Sequence, residues 1–231
     1  MARSATTKGI CYICKKELGK GAMKNHLMKS HKLSEGKVNY FLIKVEGFYD
    51  KDYWLYLKIK DSATLGELDS FLRDIWLECC GHLSAFKIGE YLYESNDNDD
   101  FSLFRRNVVD MDKTKLKDVL SVGMAFKHEY DFGSTTTLKL TVMDIYAGIS
   151  TKDEITLLAR NVMEKHECQE CGEKATYIAM EDEWSDYTYL CEKCLGKYEE
   201  EEFYIVPITN SPRMGVCGYC GENDIYQLDQ E

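Results

Sequence analysis

The sequence predicts an α+β protein: a central, mostly antiparallel sheet with packed helices, flanked by two small cysteine-rich modules. Three observations carry this. Two alternating apolar runs are joined by a turn and followed by a helical pattern; four C-x2-C pairs are confined to the two ends of the chain; and the charge balance changes sign along it. The 231 residues are 44% hydrophobic and 12% aromatic, enough for one or two ordinary cores and too apolar for general disorder. No apolar run approaches the ~18 residues of a spanning helix, and Met1 to Gly9 lacks the apolar stretch of a signal peptide. A cytoplasmic location without membrane attachment is therefore expected.

The charge steps divide the chain. Residues 1–38 hold nine Lys/Arg against two acidic residues, 39–164 hold 15 against 22, and 165–231 hold five against 16, within a net charge of −11. These steps coincide with changes in composition, so four segments are expected: a basic Cys/His module at 1–36, an α+β domain at 38–150, a connector at 151–164 and a cysteine-rich tail at 165–231. Only the first segment attracts nucleic acid electrostatically, and the acidic run Glu199 to Glu202 repels phosphate.

Within the central domain, the alternating runs Tyr40 to Val45 and Trp54 to Ile59 flank the turn-prone Gly47 to Asp52 and predict a hairpin. Thr64 and Glu67 then form a capping-box pattern ahead of Leu65, Leu68, Phe71, Leu72 and Ile75, a helical spacing that predicts a helix packed on the hairpin. Strands follow at Ser84 to Ile88 and Tyr91 to Tyr93. After them come an acidic loop at Asn96 to Asp100, a short helix near Leu116 to Leu120, and strands at Ala125 to Tyr130 and Leu138 to Met143. In the connector, Ile155, Leu157, Leu158, Val162 and Met163 have the spacing of a short helix.

Cysteine usage points to metal, because disulfides do not persist in a reducing compartment. At the N-terminus, Cys11-x2-Cys14-x11-His26-x4-His31 lies within one residue of the usual two-Cys, two-His finger spacing, and Lys20 to His31 as a helix brings both imidazoles to one side. Leu18 and Met23 fall where a ββα finger keeps its small core. The base-reading positions of such a helix are Gly19, Ala22 and Asn25, of which only Asn25 reaches a base edge. Lys15, Lys16, Lys20, Lys24 and Lys29 are the candidate phosphate contacts, giving affinity without sequence specificity. In the tail, Cys168-x2-Cys171-x19-Cys191-x2-Cys194 has the spacing of a zinc ribbon, with Gly172 and Gly196 close behind the knuckles. Two zinc ions are expected. Cys217-x2-Cys220 is a third knuckle without a partner pair. It is open between displacing a ribbon pair, joining His166 or an acidic residue at a further metal, and remaining two thiols.

Catalytic patterns are weak, and no catalytic residue is assigned. Asp131-Phe132-Gly133 lacks the phosphate loop and catalytic-loop motifs of a kinase and reads as a turn before a strand. Cys79, Cys80 and His82 are close in sequence, but buried or helix-end cysteines explain them better than a nucleophile and its base. The expected function is therefore a zinc-binding, non-enzymatic adaptor or regulator, whose partner is nucleic acid through the basic finger or a protein. The alternative is an enzyme acting on nucleic acid or a small molecule, with a site in the central domain.

Several of these residues also resemble a known family. Tyr40 to Met143 is similar to the plasmid pRiA4b ORF-3-like family in its paired opening strands, Thr64-Leu65-x-x-Leu68, His82-Leu83-x-x-Phe86 and Tyr130-Asp131-Phe132-Gly133. The run Asn210-Ser211-Pro212-Arg213-Met214-Gly215-Val216-Cys217-Gly218-Tyr219 resembles a segment of those members with a cysteine-rich C-terminus. The resemblance implies the α+β fold rather than an activity. Many members continue Asp-Phe-Gly with an acidic residue, a Trp and a His, where this chain has Ser134-Thr135-Thr136-Thr137-Leu138. Members often lack the cysteine matching Cys220, which implies a free thiol there.

Overall fold

A computed structural model describes residues 7–31, 33–95, 107–182, 185–201 and 203–226. The acidic loop expected at Asn96 to Asp100 lies outside these residues. The chain forms two compact units, one of Met1–Leu72 with Leu83–Val162 and one of Arg73–His82 with Met163–Glu231.

The first unit begins with β1 (Lys8–Cys11), β2 (Glu17–Gly19) and α1 (Lys20–Ser30), the expected ββα finger. Next come β3 (Val38–Gly47), β4 (Trp54–Lys60), α2 (Leu65–Leu72), β5 (Ser84–Ile88), β6 (Tyr91–Glu94), β7 (Val108–Asp110), α3 (Leu116–Val119), β8 (Ala125–Tyr130), β9 (Thr136–Gly148) and β10 (Ile155–Asn161). All ten strands join one sheet in the order β2-β1-β10-β4-β3-β9-β8-β5-β6-β7, antiparallel except between β6 and β7. The capping box forms as predicted: the Glu67 backbone N–H donates to Thr64 Oγ1 at 3.1 Å, and the Thr64 N–H donates to Glu67 Oε2 at 2.7 Å.

The connector is a strand and not a helix. β10 lies between β1 and β4, which pair both of its edges, and successive residues of it are buried, so both faces are covered and its apolar residues run together; a bulge between Leu157 and Ala159 shifts the alternation further toward a helical spacing. This strand also explains why the basic module at 1–36 is not a compact unit by itself. Gly9 pairs with Asn161 and Cys11 with Ala159, so the finger continues the central sheet.

Strand alternation assigns the two sheet faces. Tyr40 and Leu42 of β3, Trp54 and Tyr56 of β4 and Leu158 of β10 cluster with Met23 and Leu27 of α1, with Leu18 packed against them. Ile43, Val45, Leu55 and Leu57 lie on the opposite face, in register through Leu140 with Phe126, and His128 stands two positions further along that face of β8. There His128 Nε2–H donates to Asp69 Oδ1 of α2 at 2.6 Å, so the two helices cover opposite faces. Turning Asp69 inward leaves Phe71, expected on the buried side with Leu68, half-buried, while Leu68 itself is fully buried.

The second unit combines a π-helical turn at Arg73–Leu77 with a three-stranded sheet, β12 (Thr188–Leu190), β11 (Tyr177–Met180) and β13 (Tyr204–Pro207) in that order. The short helix α4 (Gly196–Glu200) follows the second cysteine pair, so Gly196 opens a helix while Gly172, at φ +79°, makes the left-handed knuckle turn. Among the described residues no helix is long and apolar enough to cross a membrane.

Candidate metal centres

The finger closes on four ligand atoms. The chain turns after β1 through Lys15 at φ +62°, whose N–H donates to Cys11 O at 2.7 Å. This tight turn aims Cys11 and Cys14 at the C-terminal half of α1 and the residue beyond it. Cys11 Sγ lies 3.3 Å from His31 Nε2, Cys14 Sγ 3.3 Å from His26 Nε2, and the two Nε2 atoms 3.0 Å apart with the rings at 90°. All four atoms fall within 4.8 Å of one another. A tetrahedral zinc ion with two sulfur and two nitrogen ligands has edges of about 3.3 to 3.8 Å, so the set is gathered at, or a few tenths of an ångström inside, that spacing. Burial, His31 and Lys16 together pull the His26 pKa below its ordinary value, which favours the neutral imidazole a metal requires.

The tail holds the second set, Cys168, Cys171, Cys191 and Cys194, again within 4.8 Å, with Cys171 and Cys191 Sγ 3.6 Å apart. Burial pushes the Cys168 thiol up, but the backbone N–H groups of Cys191, Glu170 and Cys171 outweigh it and bring the pKa down to about 6. Backbone amides aimed at a sulfur stabilise a thiolate, the form that binds metal. Hydrogen bonds with the neighbouring thiols Cys171 and Cys191, followed by burial, hold the Cys194 thiol up at about 12. Both sets therefore have the donors and spacing to hold zinc.

The third knuckle does not close on itself. Cys217 Sγ lies 3.5 Å from Cys80 Sγ and 3.4 Å from His82 Nε2, and with Cys79 these four atoms also fall within 4.8 Å; Cys220 is not among them. Its proposed partner His166 instead stacks on Tyr189 at 3.9 Å. Cys79, Cys80 and His82 are functional candidates that local reading missed, because their partner is 135 to 138 positions away. The short Cys79-Cys80-x-His82 spacing was the available signal.

Of the five candidate phosphate contacts, Lys20 is paired with Glu46 at 2.8 Å and donates to Lys51 O, and Lys24 donates to Met143 O at 2.8 Å. Lys15, Lys16 and Lys29 are exposed, as are Ala22 and Asn25. Asp131, at φ +63°, accepts from the N–H groups of Gly133 and Ser134, so Asp-Phe-Gly is a turn held by its own carboxylate. The Asp69–His128 dyad is sealed: His128 is 0% exposed and packs against the Phe86 ring at 4.7 Å.

No curated protein matches the chain. Among solved structures, a protein of unknown function, MM3350 from Methanosarcina mazei Go1, is 15% identical with a TM-score of 0.45, over 56% of this chain and 71% of that one. The model of the family described as plasmid pRiA4b ORF-3-like protein matches residues 39–204, from β3 to the start of β13 and through the ribbon cysteines. By that match the chain belongs to the plasmid pRiA4b ORF-3-like protein family.

Proposed function

We propose that the protein is a zinc-stabilised, non-enzymatic binding protein that contacts a macromolecule. The observation that carries this reading is that the finger and the ribbon each supply four protein ligands within 4.8 Å. A metal held by four side chains keeps no open position for a substrate and serves to fix structure. No disulfide joins the described cysteines, which fits metal ligation in a reducing compartment. The Asp69–His128 dyad lends no support to the enzymatic alternative, because it is closed to solvent.

The partner surface we favour is the phosphate-binding one, formed by Lys15, Lys16 and Lys29, while Lys20 and Lys24 hold the finger to its sheet. Metal analysis of protein purified without added zinc tests the first half, with at least two ions per chain expected. For the second half, binding to DNA or RNA is measured against salt. The slope of log K against log salt should shrink by about 0.9 for each phosphate contact removed in a Lys15→Gln, Lys16→Gln, Lys29→Gln triple variant. No binding at low salt by the metallated protein would make the partner a protein instead.

A further inference from the structure

We propose that Cys79, Cys80, His82 and Cys217 form a third metal site for a zinc-class divalent cation, which clasps residues 73–82 to the C-terminal tail within the second unit. Cys80 Sγ lies 3.5 Å from Cys79 Sγ, 3.4 Å from His82 Nε2 and 3.5 Å from Cys217 Sγ. Three sulfurs and one imidazole nitrogen are a donor set for zinc and not for magnesium or calcium, which take oxygen ligands. A disulfide would bond two of the sulfurs at about 2.05 Å and leave the third sulfur and the imidazole unused.

The backbone and its anchors position these ligands independently of the metal. Gly81, at φ +73°, folds the chain so that His82 comes back beside Cys80. Cys217 itself sits at φ +50°, in the left-handed region that residues with a Cβ avoid and that recurs at functional sites. Trp76 Nε1–H donates to Asn210 O at 2.8 Å, Ser211 Oγ–H donates to Trp76 O at 2.6 Å, and Tyr219 reaches Ile75 O. The run from Asn210 to Tyr219 thus grips the π-helical turn on either side of Cys217.

Charge completes the argument. Three thiolates and a neutral imidazole around a divalent cation leave one net negative charge. The guanidinium of Arg213, 0% exposed, donates through Nη2 to Cys79 Sγ at 3.4 Å and supplies the balancing positive charge. Gly215, at φ +79°, keeps this run in place: a Cβ there would meet Tyr187, whose hydroxyl donates to Met214 O.

The site is independent of the function proposed above, and one experiment separates the two. Full-length protein, purified reduced and without added metal, is analysed for zinc per chain and for thiol alkylation with and without chelator. Three zinc ions are expected, with Cys79, Cys80 and Cys217 protected until chelator is added and Cys220 modified at once. Cys217→Ala should lower the count to two, while Cys217→His and Cys220→Ala keep three. Two zinc ions, with Cys79, Cys80 and Cys217 modified as fast as Cys220, would overturn the site, as would a disulfide between Cys80 and Cys217. The finger and ribbon thiols serve as the control. If they react at once while these three stay protected, this site stands and the zinc-stabilised finger and ribbon do not. The wild-type protection pattern decides even where Cys217→Ala loses further zinc by unfolding.

Discussion

The finger and the ribbon each gather four candidate ligands, yet they stand on different foundations. Behind the finger's ligands, Met23 and Leu27 are fully buried against Tyr40, Leu42, Trp54 and Tyr56 on a face of the ten-stranded sheet. The ribbon's cluster of buried residues is Cys168, Ala179, Leu190, Cys191, Leu195 and Tyr198, so two of its six members are candidate metal ligands themselves. Its segment is also the most acidic of the chain, five Lys/Arg against 16 acidic residues. Where apolar burial suffices, a metal locks a fold that already exists. Where it does not, metal binding and folding are one event.

The sharpest way to break this comparison is to remove the metal. With chelator under reducing conditions, the second unit should lose its fold as a whole, Arg73–Leu77 included, because structural zinc supplies on the order of 10 kcal/mol to a small module. Strands β3, β4 and β9 should keep their protection. Hydrogen exchange read by mass spectrometry follows both units at once. Simultaneous loss in both would mean that the first unit also depends on metal.

The finger offers the opposite test. Leu27→Ala removes a fully buried side chain from the cluster beneath α1 and should destabilise the first unit by about 2–5 kcal/mol in a denaturant titration, with its zinc content unchanged. A cost below about 0.5 kcal/mol would place the finger's stability in its metal after all.

What was legible in the sequence follows the range of the interactions. The finger helix, the capping box and the hairpin at Gly47 depend on residues a few positions apart, and their patterns predict them. Both four-ligand sets are also local, because each knuckle is a turn of four residues. The docking of the finger was not legible. It rests on β1 pairing with β10 across some 150 residues, and on Gly9, where a Cβ would collide with Trp54 and the carbonyl of Arg160. The helical reading of β10 failed because a strand buried on both faces loses the alternation that marks a strand. Nothing near Cys217 signals Cys79, Cys80 and His82, since only tertiary structure joins them.

The finest test concerns how the finger is held by charge. Glu46, on β3, has a side chain only 10% exposed and receives Lys20 Nζ at 2.8 Å and Lys44 Nζ at 2.7 Å, so the first residue of α1 is tied to the sheet. Burial alone would push this carboxyl up, but the hydrogen bonds from Lys20 and Lys44 outweigh it and hold its pKa below the ordinary glutamate value. A carboxyl whose pKa is depressed on folding contributes stability that is fully present above its unfolded pKa and lost as pH falls through the folded one. Glu46→Gln keeps the shape and removes the charge, so it should cost about 1 kcal/mol at neutral pH. That cost should shrink as the pH drops below the ordinary glutamate range. Acid also releases zinc from thiolates, but it does so in both proteins, so the quantity to measure is the difference between wild type and variant at each pH. A difference near zero at every pH would show that Glu46 holds the finger through its shape and not its charge. The first unit would then rest on apolar burial throughout.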